Sequence, residues 1–167
     1  MRQLSLIKAP SLEFGGSLAK QGKRKQARPI DPRRALHVSF KAENAKESLL
    51  SATHVKEVEK IVRQAGERFQ VKVYRYGNSG NHLHLLIKGR TRAGIQNFLR
   101  TAAALIARRV LQAKKGQPKG RYWSELVFSK VISWGREFRY AVDYVETNML
   151  EGLGVCFTWQ RQYVIRS

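Results

Sequence analysis

Apolar and polar side chains alternate along the stretch NHLHLLIKG, residues 81–89. Side chains of a strand point alternately to its two faces. One face of this stretch is therefore apolar and the other carries two imidazoles: Leu83, Leu85 and Ile87 against His82 and His84. This pattern predicts a strand whose apolar face covers a hydrophobic core.

The preceding stretch, FQVKVYRYG at 69–77, alternates in the same way, and the turn formers at 78–81 join the two strands into a hairpin. Further out, alternation or helical periodicity predicts the other elements. These are a strand at 35–42, a helix at 54–68 capped by Thr53, a helix that ends near residue 113, a strand at 126–133 and a helix through 138–149.

The order β-α-β-β-α-β-α predicts an α+β fold. The expected arrangement is ferredoxin-like (RRM-like), with a four-stranded antiparallel sheet, two helices on one face and an additional C-terminal helix. In that topology the strands at 35–42 and 82–89 are central. Residues 1–34 are rich in glycine and basic residues, so we expect a flexible basic arm there and a single domain at 35–167.

The charge of the chain predicts a polyanionic partner. Its 32 Lys and Arg residues against 12 Asp and Glu give a net charge of +20. Such a field favours nucleic acid, and no stretch resembles a membrane-surface or membrane-spanning helix. The sequence also lacks a recognisable signal peptide, and Cys156 is the only cysteine, which fits a small core residue in a reducing compartment. We therefore expect a cytoplasmic, nucleoid-associated protein that binds no membrane.

Two features make the imidazole face a candidate metal site. His82 and His84 lie two residues apart on a predicted central strand, where two imidazoles can bind one divalent ion. A hydrogen-bonded pair of sheet histidines would give the same pattern. The last helix adds Tyr140, Tyr144 and Asn148 at intervals of four, hence on one face. If this face covers the histidines, a phenol and an amide oxygen join them; half-buried interfacial tyrosines are the alternative.

These residues resemble a known family. The run NHLHLLIKG resembles the His-hydrophobic-His motif of the HUH endonucleases. The runs YWSELVFSKVISWG (122–135) and AVDYVETN (141–148) resemble the strand and tyrosine helix of their single-tyrosine transposases. The similarity, over residues 35–152, is to the REP-associated tyrosine transposases of the IS200-like family. One departure is Met149, where the family usually has proline after the amide residue.

The resemblance implies a transposase that cleaves and rejoins single-stranded DNA, containing a hairpin, through a 5′-phosphotyrosine. It implies Tyr144 as the nucleophile, with Tyr140 as its rival, and His82, His84 and Asn148 as ligands of Mg²⁺ or Mn²⁺. It also implies a homodimer, with the tyrosine helix serving its own or the partner's histidines. His37 and His54 are left as structural residues.

A basic strip is expected to bind the DNA. From Lys88 to Ser124 there are ten basic residues and no acidic one. At the end of this strip, Tyr122 and Trp123 could stack on unpaired bases; packing in the core is the alternative for both. The predicted DNA-binding residues are Lys88, Arg90, Arg92, Arg100, Arg108 and Arg121, with Lys23, Arg24 and Lys25 of the arm.

Two alternatives remain open at this level. The same topology is used by non-catalytic RNA- or DNA-binding modules, including a domesticated transposase, although such RNA-binding domains carry aromatic residues where this strand carries histidines. HUH replication initiators also place the tyrosine after the histidines, but they normally add a further domain, for which 167 residues leave no room.

Overall fold

The computed structural model describes residues 14–15, 28–42, 48–114, 116–117 and 119–155. Lys23, Arg24 and Lys25 of the predicted arm, and Cys156, lie outside the described residues, so their roles stay predictions. Within the described part the strands are β1 (Phe14–Gly15), β2 (Ala35–Lys41), β3 (Val71–Asn78), β4 (His82–Gly89) and β5 (Phe128–Ile132). The helices are α1 (Val55–Phe69), α2 (Arg92–Val110) and α3 (Arg136–Gly152), with a short 3-10 helix at Ser48–Leu50.

The strands form one antiparallel sheet in the order β1-β5-β2-β4-β3. The four main strands have the ferredoxin-like order, with β2 and β4 in the centre, which confirms the predicted fold class. The short strand β1 was not predicted; it extends the sheet beyond β5, where Phe14 is opposite Lys130.

The hydrophobic core lies between one face of the sheet and helices α1 and α2. The alternating apolar residues of β2 and β4 point into it, and both helices contribute an apolar stripe. Each such large side chain stabilises the fold by about 1.5–3 kcal/mol when it is fully buried. The fully buried set includes Leu36, Val38, Phe40, Leu83, Leu85, Ile87, Val58, Ile95, Phe98 and Ile106.

The N-termini of helices α1 and α2 are capped differently. The hydroxyl of Thr91 accepts a hydrogen bond from the Gly94 amide at 3.0 Å and caps α2. Helix α1 begins at Val55 with His54 at the capping position and no side-chain cap. The predicted cap by Thr53 is therefore wrong, because the Thr53 hydroxyl is hydrogen bonded to Ser51 instead, at 3.1 Å.

Helix α3 packs on the other face of the sheet. Its first half rests on a small apolar cluster in which Phe138 and Val142 meet Ala35, Leu86 and Ile132. Gly135, at φ 93°, directly precedes the helix at its capping position, in a conformation that residues with a side chain rarely adopt. The face of β2 and β4 that does not face the core is thus partly covered by α3.

The end of the predicted basic arm is held against the domain. Ile30 is buried, and Arg92 at the start of α2 donates to the carbonyl oxygens of Ile30 (3.2 Å) and Arg28 (2.6 Å). The guanidinium of Arg28 in turn donates to the Val127 carbonyl and to the Ser129 hydroxyl. Residues 28–30 therefore pack with the sheet, although the sequence places them before the domain boundary at 34/35.

Candidate active site

Strand β4 positions the two predicted imidazoles on the face opposite the core. The core-facing Leu83, Leu85 and Ile87 are completely buried. His82 is half-buried, while His84 is only 6% exposed. Their ring centres are 5.9 Å apart, with nearly parallel planes. The predicted face of the strand is confirmed, and the two imidazoles are neighbours on it.

Strand β2 adds a third imidazole. Residues directly opposite in an antiparallel pair share a face, and β2 places His37 opposite Leu86 and Ser39 opposite His84. The Nε2 atom of His37 lies 3.4 Å from Nδ1 of His84. The sequence analysis missed this partner. It could have been found from the alternation of β2, because Leu36 and Val38 face the core and leave His37 on the face of His82 and His84.

Helix α3 brings Tyr144 onto these imidazoles. Its ring meets His37 and His84 edge-on, with ring centres 5.4 Å and 5.7 Å apart and interplanar angles of 86° and 88°. Tyr144 keeps 38% of its surface exposed, whereas Tyr140, one turn earlier, is 52% exposed. Tyr144 is therefore the predicted nucleophile whose ring contacts the histidines, in the same chain, and it remains open to a substrate.

Asn148 lies one turn beyond Tyr144, toward the β3–β4 turn. Its Nδ2 donates to the Tyr144 carbonyl at 2.7 Å, and its own carbonyl accepts from the Ser79 hydroxyl at 2.8 Å. Four helical residues advance about 6 Å, close to the spacing of two strand residues. Phe138 near the start of α3 meets Leu86, and Gly152 at its end lies against Ser79, so the helix runs antiparallel to β4. We therefore expect Asn148 near the level of His82 when Tyr144 lies over His84. Its Oδ1 is the atom suited to a metal ion.

Burial keeps two of the three imidazoles neutral. Desolvation lowers the pKa of His84 to about 3, helped by the neighbouring His37 and His82. Desolvation also lowers the pKa of His37 to about 4, helped by Lys130, which faces it from β5. Lys130 is itself 3.0 Å from Glu137 of α3. At neutral pH these imidazoles are therefore uncharged, which is the form that binds metal ions.

The hydrogen bonds of the histidine pair fit a divalent ion. Nδ1 of His82 lies 2.9 Å from the side-chain oxygen of Asn81, and Nδ1 of His84 faces His37. A ligating histidine characteristically uses one ring nitrogen for the metal and donates the other N–H to a neighbour. Both histidines can therefore present Nε2 to one ion. Among the described residues, however, no group of three His, Cys, Asp or Glu side chains has the arrangement to hold a metal ion.

Two of the predicted DNA-binding arginines have structural partners. Arg92 donates to the backbone of residues 28 and 30, as described above. The Arg121 guanidinium donates to the Trp123 carbonyl at 2.6 Å and also to the Ser124 carbonyl. Both side chains therefore hold loops in place, which a purely sequence-based charge pattern cannot reveal.

The other predicted basic residues do not form one strip beside the histidines. Arg90, Arg100 and Arg108 are exposed, but Arg100 and Arg108 belong to α2, on the far side of the sheet from the imidazoles. Lys88 is half-buried and shares the strand face of His82 and His84. The structure therefore brings only Lys88 of this group onto the face that carries the site.

The two aromatic residues proposed to stack on bases pack in or against the core. Tyr122 is only 6% exposed and belongs to the core cluster, so its predicted role in base stacking is wrong. Trp123 is half-buried against Phe40 and donates from Nε1 to the Ala103 carbonyl at 2.9 Å. Core packing, the alternative considered for both residues, therefore describes them.

Similarity to one solved structure supports the ferredoxin-like fold of the chain. A solved structure described as the REP-associated tyrosine transposase bound to a REP hairpin superposes with a TM-score of 0.57 at 11% identity, covering 80% of this chain and 76% of that one. A candidate transposase from Deinococcus radiodurans R1 gives a TM-score of 0.46 at 15% identity, covering 77% and 98%. No curated protein matches the sequence.

Within the described ranges, no helix has the length and hydropathy needed to cross a bilayer. The family model described as "Transposase IS200 like" matches residues 35–148, well over half of the chain, from the first central strand to Asn148. The chain belongs to the IS200-like transposase family.

Proposed function

We propose that this transposase is a metal-dependent enzyme that nicks single-stranded DNA and rejoins it through a 5′-phosphotyrosine on Tyr144. The observation that carries the proposal is the edge-on contact of the Tyr144 ring with His84, 5.7 Å between ring centres, on a sheet face with three clustered imidazoles. A nucleophile directly beside neutral metal-binding groups is the arrangement that such a reaction needs.

His82 and His84 would hold the ion through Nε2, and Asn148 would contribute Oδ1. Mg²⁺ and Mn²⁺ are both candidates: two imidazoles suit Mn²⁺ better, while oxygen ligands suit both. When bound, the ion supplies positive charge where negative charge develops on the scissile phosphate and the departing oxygen.

Tyr144 performs the covalent step. Its Oη forms a bond to phosphorus, the bond from phosphorus to the 3′ oxygen breaks, and the proton lost by the phenol is balanced by the one gained by the free 3′-OH. The phosphodiester energy is kept in the tyrosyl ester, so a second 3′-OH can reverse the reaction without ATP. The edge contacts with His37 and His84 orient the phenol, and its 38% exposure leaves room for the DNA.

The net charge of +20 supports a nucleic-acid substrate. By analogy with the hairpin-bound REP-associated transposase, we propose a hairpin-containing single strand as substrate. We also propose, as the family resemblance implies, that the protein acts on nucleoid DNA as a homodimer. The exposed Arg90, Arg100 and Arg108, the half-buried Lys88, and Lys23, Arg24 and Lys25 of the arm are candidates for phosphate contacts. Arg100 and Arg108 would bind DNA that extends away from the histidine face.

The test is incubation of the protein with labelled single-stranded oligonucleotides, with and without a hairpin, in Mg²⁺ or Mn²⁺. We expect a covalent protein–DNA adduct that needs the metal and is lost in Tyr144→Phe and His82→Ala. Tyr140→Phe is the matched control and should form the adduct at the parental rate. An adduct that forms in EDTA, or that survives Tyr144→Phe and is lost in Tyr140→Phe, would contradict the proposal.

A further inference from the structure

We propose that His37 is a positioning residue of the site: its Nε2 accepts a hydrogen bond from Nδ1–H of His84 and so fixes the tautomer that leaves Nε2 of His84 to bind the metal ion. This inference rests on the proposed function, because it assigns His37 a role toward the same ion.

The geometry of the two rings supports a hydrogen bond better than a face-to-face stack. Their planes differ by 2° and their centres are 5.5 Å apart, while Nε2 of His37 and Nδ1 of His84 are 3.4 Å apart. The distance between the centres is close to the nitrogen separation plus one ring radius on each side. The two nitrogens therefore lie between the ring centres and point toward each other, and the ring planes are parallel, which suits an N–H···N bond.

The backbone holds His37 firmly in this place. Strand β2 pairs on both sides, so His37 has Leu86 of β4 on one side and Lys130 of β5 on the other. A residue in a doubly paired strand has little freedom in the direction of its Cα–Cβ bond. His84 lies on the adjacent central strand and is almost fully buried. The separation of the two rings is consequently set by the sheet.

His82 has an equivalent arrangement with a different acceptor. The side-chain oxygen of Asn81 lies 2.9 Å from Nδ1 of His82. An amide oxygen can only accept, so His82 carries its proton on Nδ1 and presents Nε2. His37 does for His84 what Asn81 does for His82, provided that its own proton is on Nδ1. The pair of ligands then has matching tautomers.

His37 is better placed behind His84 than beside the ion. Its Nε2 points at His84, and the described residues contain no group of three His, Cys, Asp or Glu side chains that could hold a metal. The same ring also meets the Tyr144 ring at 86°, with 5.4 Å between centres. One side chain thus contacts both a ligand and the nucleophile of the proposed reaction.

The experiment measures Mn²⁺ affinity by calorimetry, without DNA, and reads the His84 tautomer from the ¹⁵N shifts of its ring. His37→Phe keeps a flat ring against Tyr144 but removes the acceptor, whereas His37→Gln places an amide oxygen near the former Nε2. His54→Phe makes the same change at a histidine on the core-helix side of the sheet. Thermal unfolding verifies that each variant is folded.

We expect parental His84 to carry its proton on Nδ1. His37→Phe should weaken Mn²⁺ binding about 10–100-fold, the usual cost of losing such a partner, and give mixed His84 tautomers. His37→Gln should restore most of the affinity, and His54→Phe should leave it unchanged. Parental affinity and tautomer in folded His37→Phe would overturn the inference, as would a His37→Gln variant that binds as weakly as His37→Phe.

A different result separates this inference from the proposed function. A parent chain that binds neither Mn²⁺ nor Mg²⁺ would remove the metal-dependent reaction itself. Strong Mn²⁺ binding by the parent that is lost in His82→Ala and unaffected by His37→Phe would leave the reaction in place and remove only the role of His37.

Discussion

The carbonyl oxygen of Val145 lies 2.7 Å from the position that a Cβ atom would occupy at Gly77. Gly77 is opposite His84 in the sheet, and Val145 follows Tyr144 in α3. The absence of a side chain at Gly77 therefore lets the helix backbone approach β3 closely enough for the Tyr144 ring to reach the imidazoles. At the far end of the helix Gly152 makes a similar approach to Ser79.

We predict that Gly77→Ala displaces α3 from the sheet. Overpacking at such a contact costs about 1–3 kcal/mol, which urea denaturation will measure. Adduct formation should slow as well, because Tyr144 moves with Val145. The exposed Thr53→Ala serves as a control and should change neither property. Unfolding of Gly77→Ala at the parental urea midpoint would argue against the close packing of α3.

Asn148 should contribute to metal affinity through Oδ1. Asn148→Asp keeps an oxygen in the same place and adds a negative charge, so we expect it to bind Mn²⁺ at least as tightly as the parent. Asn148→Ala removes the oxygen and should bind roughly tenfold more weakly, equivalent to about 1.4 kcal/mol. Calorimetric titration tests both variants. Equal affinities of Asn148→Ala and the parent would remove Asn148 from the ligand set.

The neutral buried histidines predict that the metal-free protein loses stability in mild acid. Burial lowers the pKa of His84 to about 3 and of His37 to about 4, whereas imidazoles of the unfolded chain titrate near 6.5. As the pH falls from 6.5 toward 4, the unfolded state binds protons that the folded state does not. Stability therefore decreases, by up to about 1.4 kcal/mol per pH unit for each group.

The measurement is urea denaturation of metal-free protein between pH 7.5 and 5, a range above the usual titration of carboxylates. His37→Phe removes one of the two groups and should reduce the slope of stability against pH to about half. A parental stability that is constant between pH 6.5 and 5 would contradict the burial of these imidazoles in the neutral form.

Arg92 and Arg100 should respond differently to substitution, although both belong to the predicted basic strip. Arg92→Ala removes two hydrogen bonds to backbone carbonyls and should lower the free energy of unfolding by about 1.5–3 kcal/mol. Arg100→Ala should leave stability unchanged. If Arg100 contacts a phosphate, Arg100→Ala should lower the slope of log affinity against log salt concentration for single-strand binding by about 0.7. An Arg100→Ala variant with the parental slope would exclude that contact.

The sequence predicted the fold well because the fold depends on local periodicity. The alternation in 69–77 and 82–89 defined the hairpin of β3 and β4, and the helical spacing of the apolar residues defined α1, α2 and α3. The same reasoning placed His82 and His84 on one face of β4, and Tyr144 with Asn148 on one face of α3. Periodicity could not predict how closely α3 approaches the sheet, since that distance depends on tertiary contacts such as the one between Gly77 and Val145.

Two of the misses, His37 and Arg92, involve partners that are distant in sequence. His37 was left as a structural residue because its ring partner lies on another strand, although strand alternation already put it on the correct face. Arg92 was counted as a free charge because its acceptors, the carbonyls of residues 28 and 30, are distant in sequence. The acceptors of Arg121, the Trp123 and Ser124 carbonyls, are close in sequence, but a charge pattern does not reveal the loop conformation that presents them. Tyr122 has the aromatic ring that base stacking requires, and only its burial in the core excludes that role.

The most direct test of the shared pocket of phenol and imidazoles is to map the covalent bond. The trapped adduct is digested with nuclease and trypsin, and the peptide that carries the nucleotide is fragmented in a mass spectrometer; Tyr140 and Tyr144 fall in the same tryptic peptide, so fragment ions between them locate the modification. We predict a nucleotide 5′-phosphate on Tyr144. A phosphate on Tyr140, or a reaction that leaves no modified tyrosine, would contradict the account.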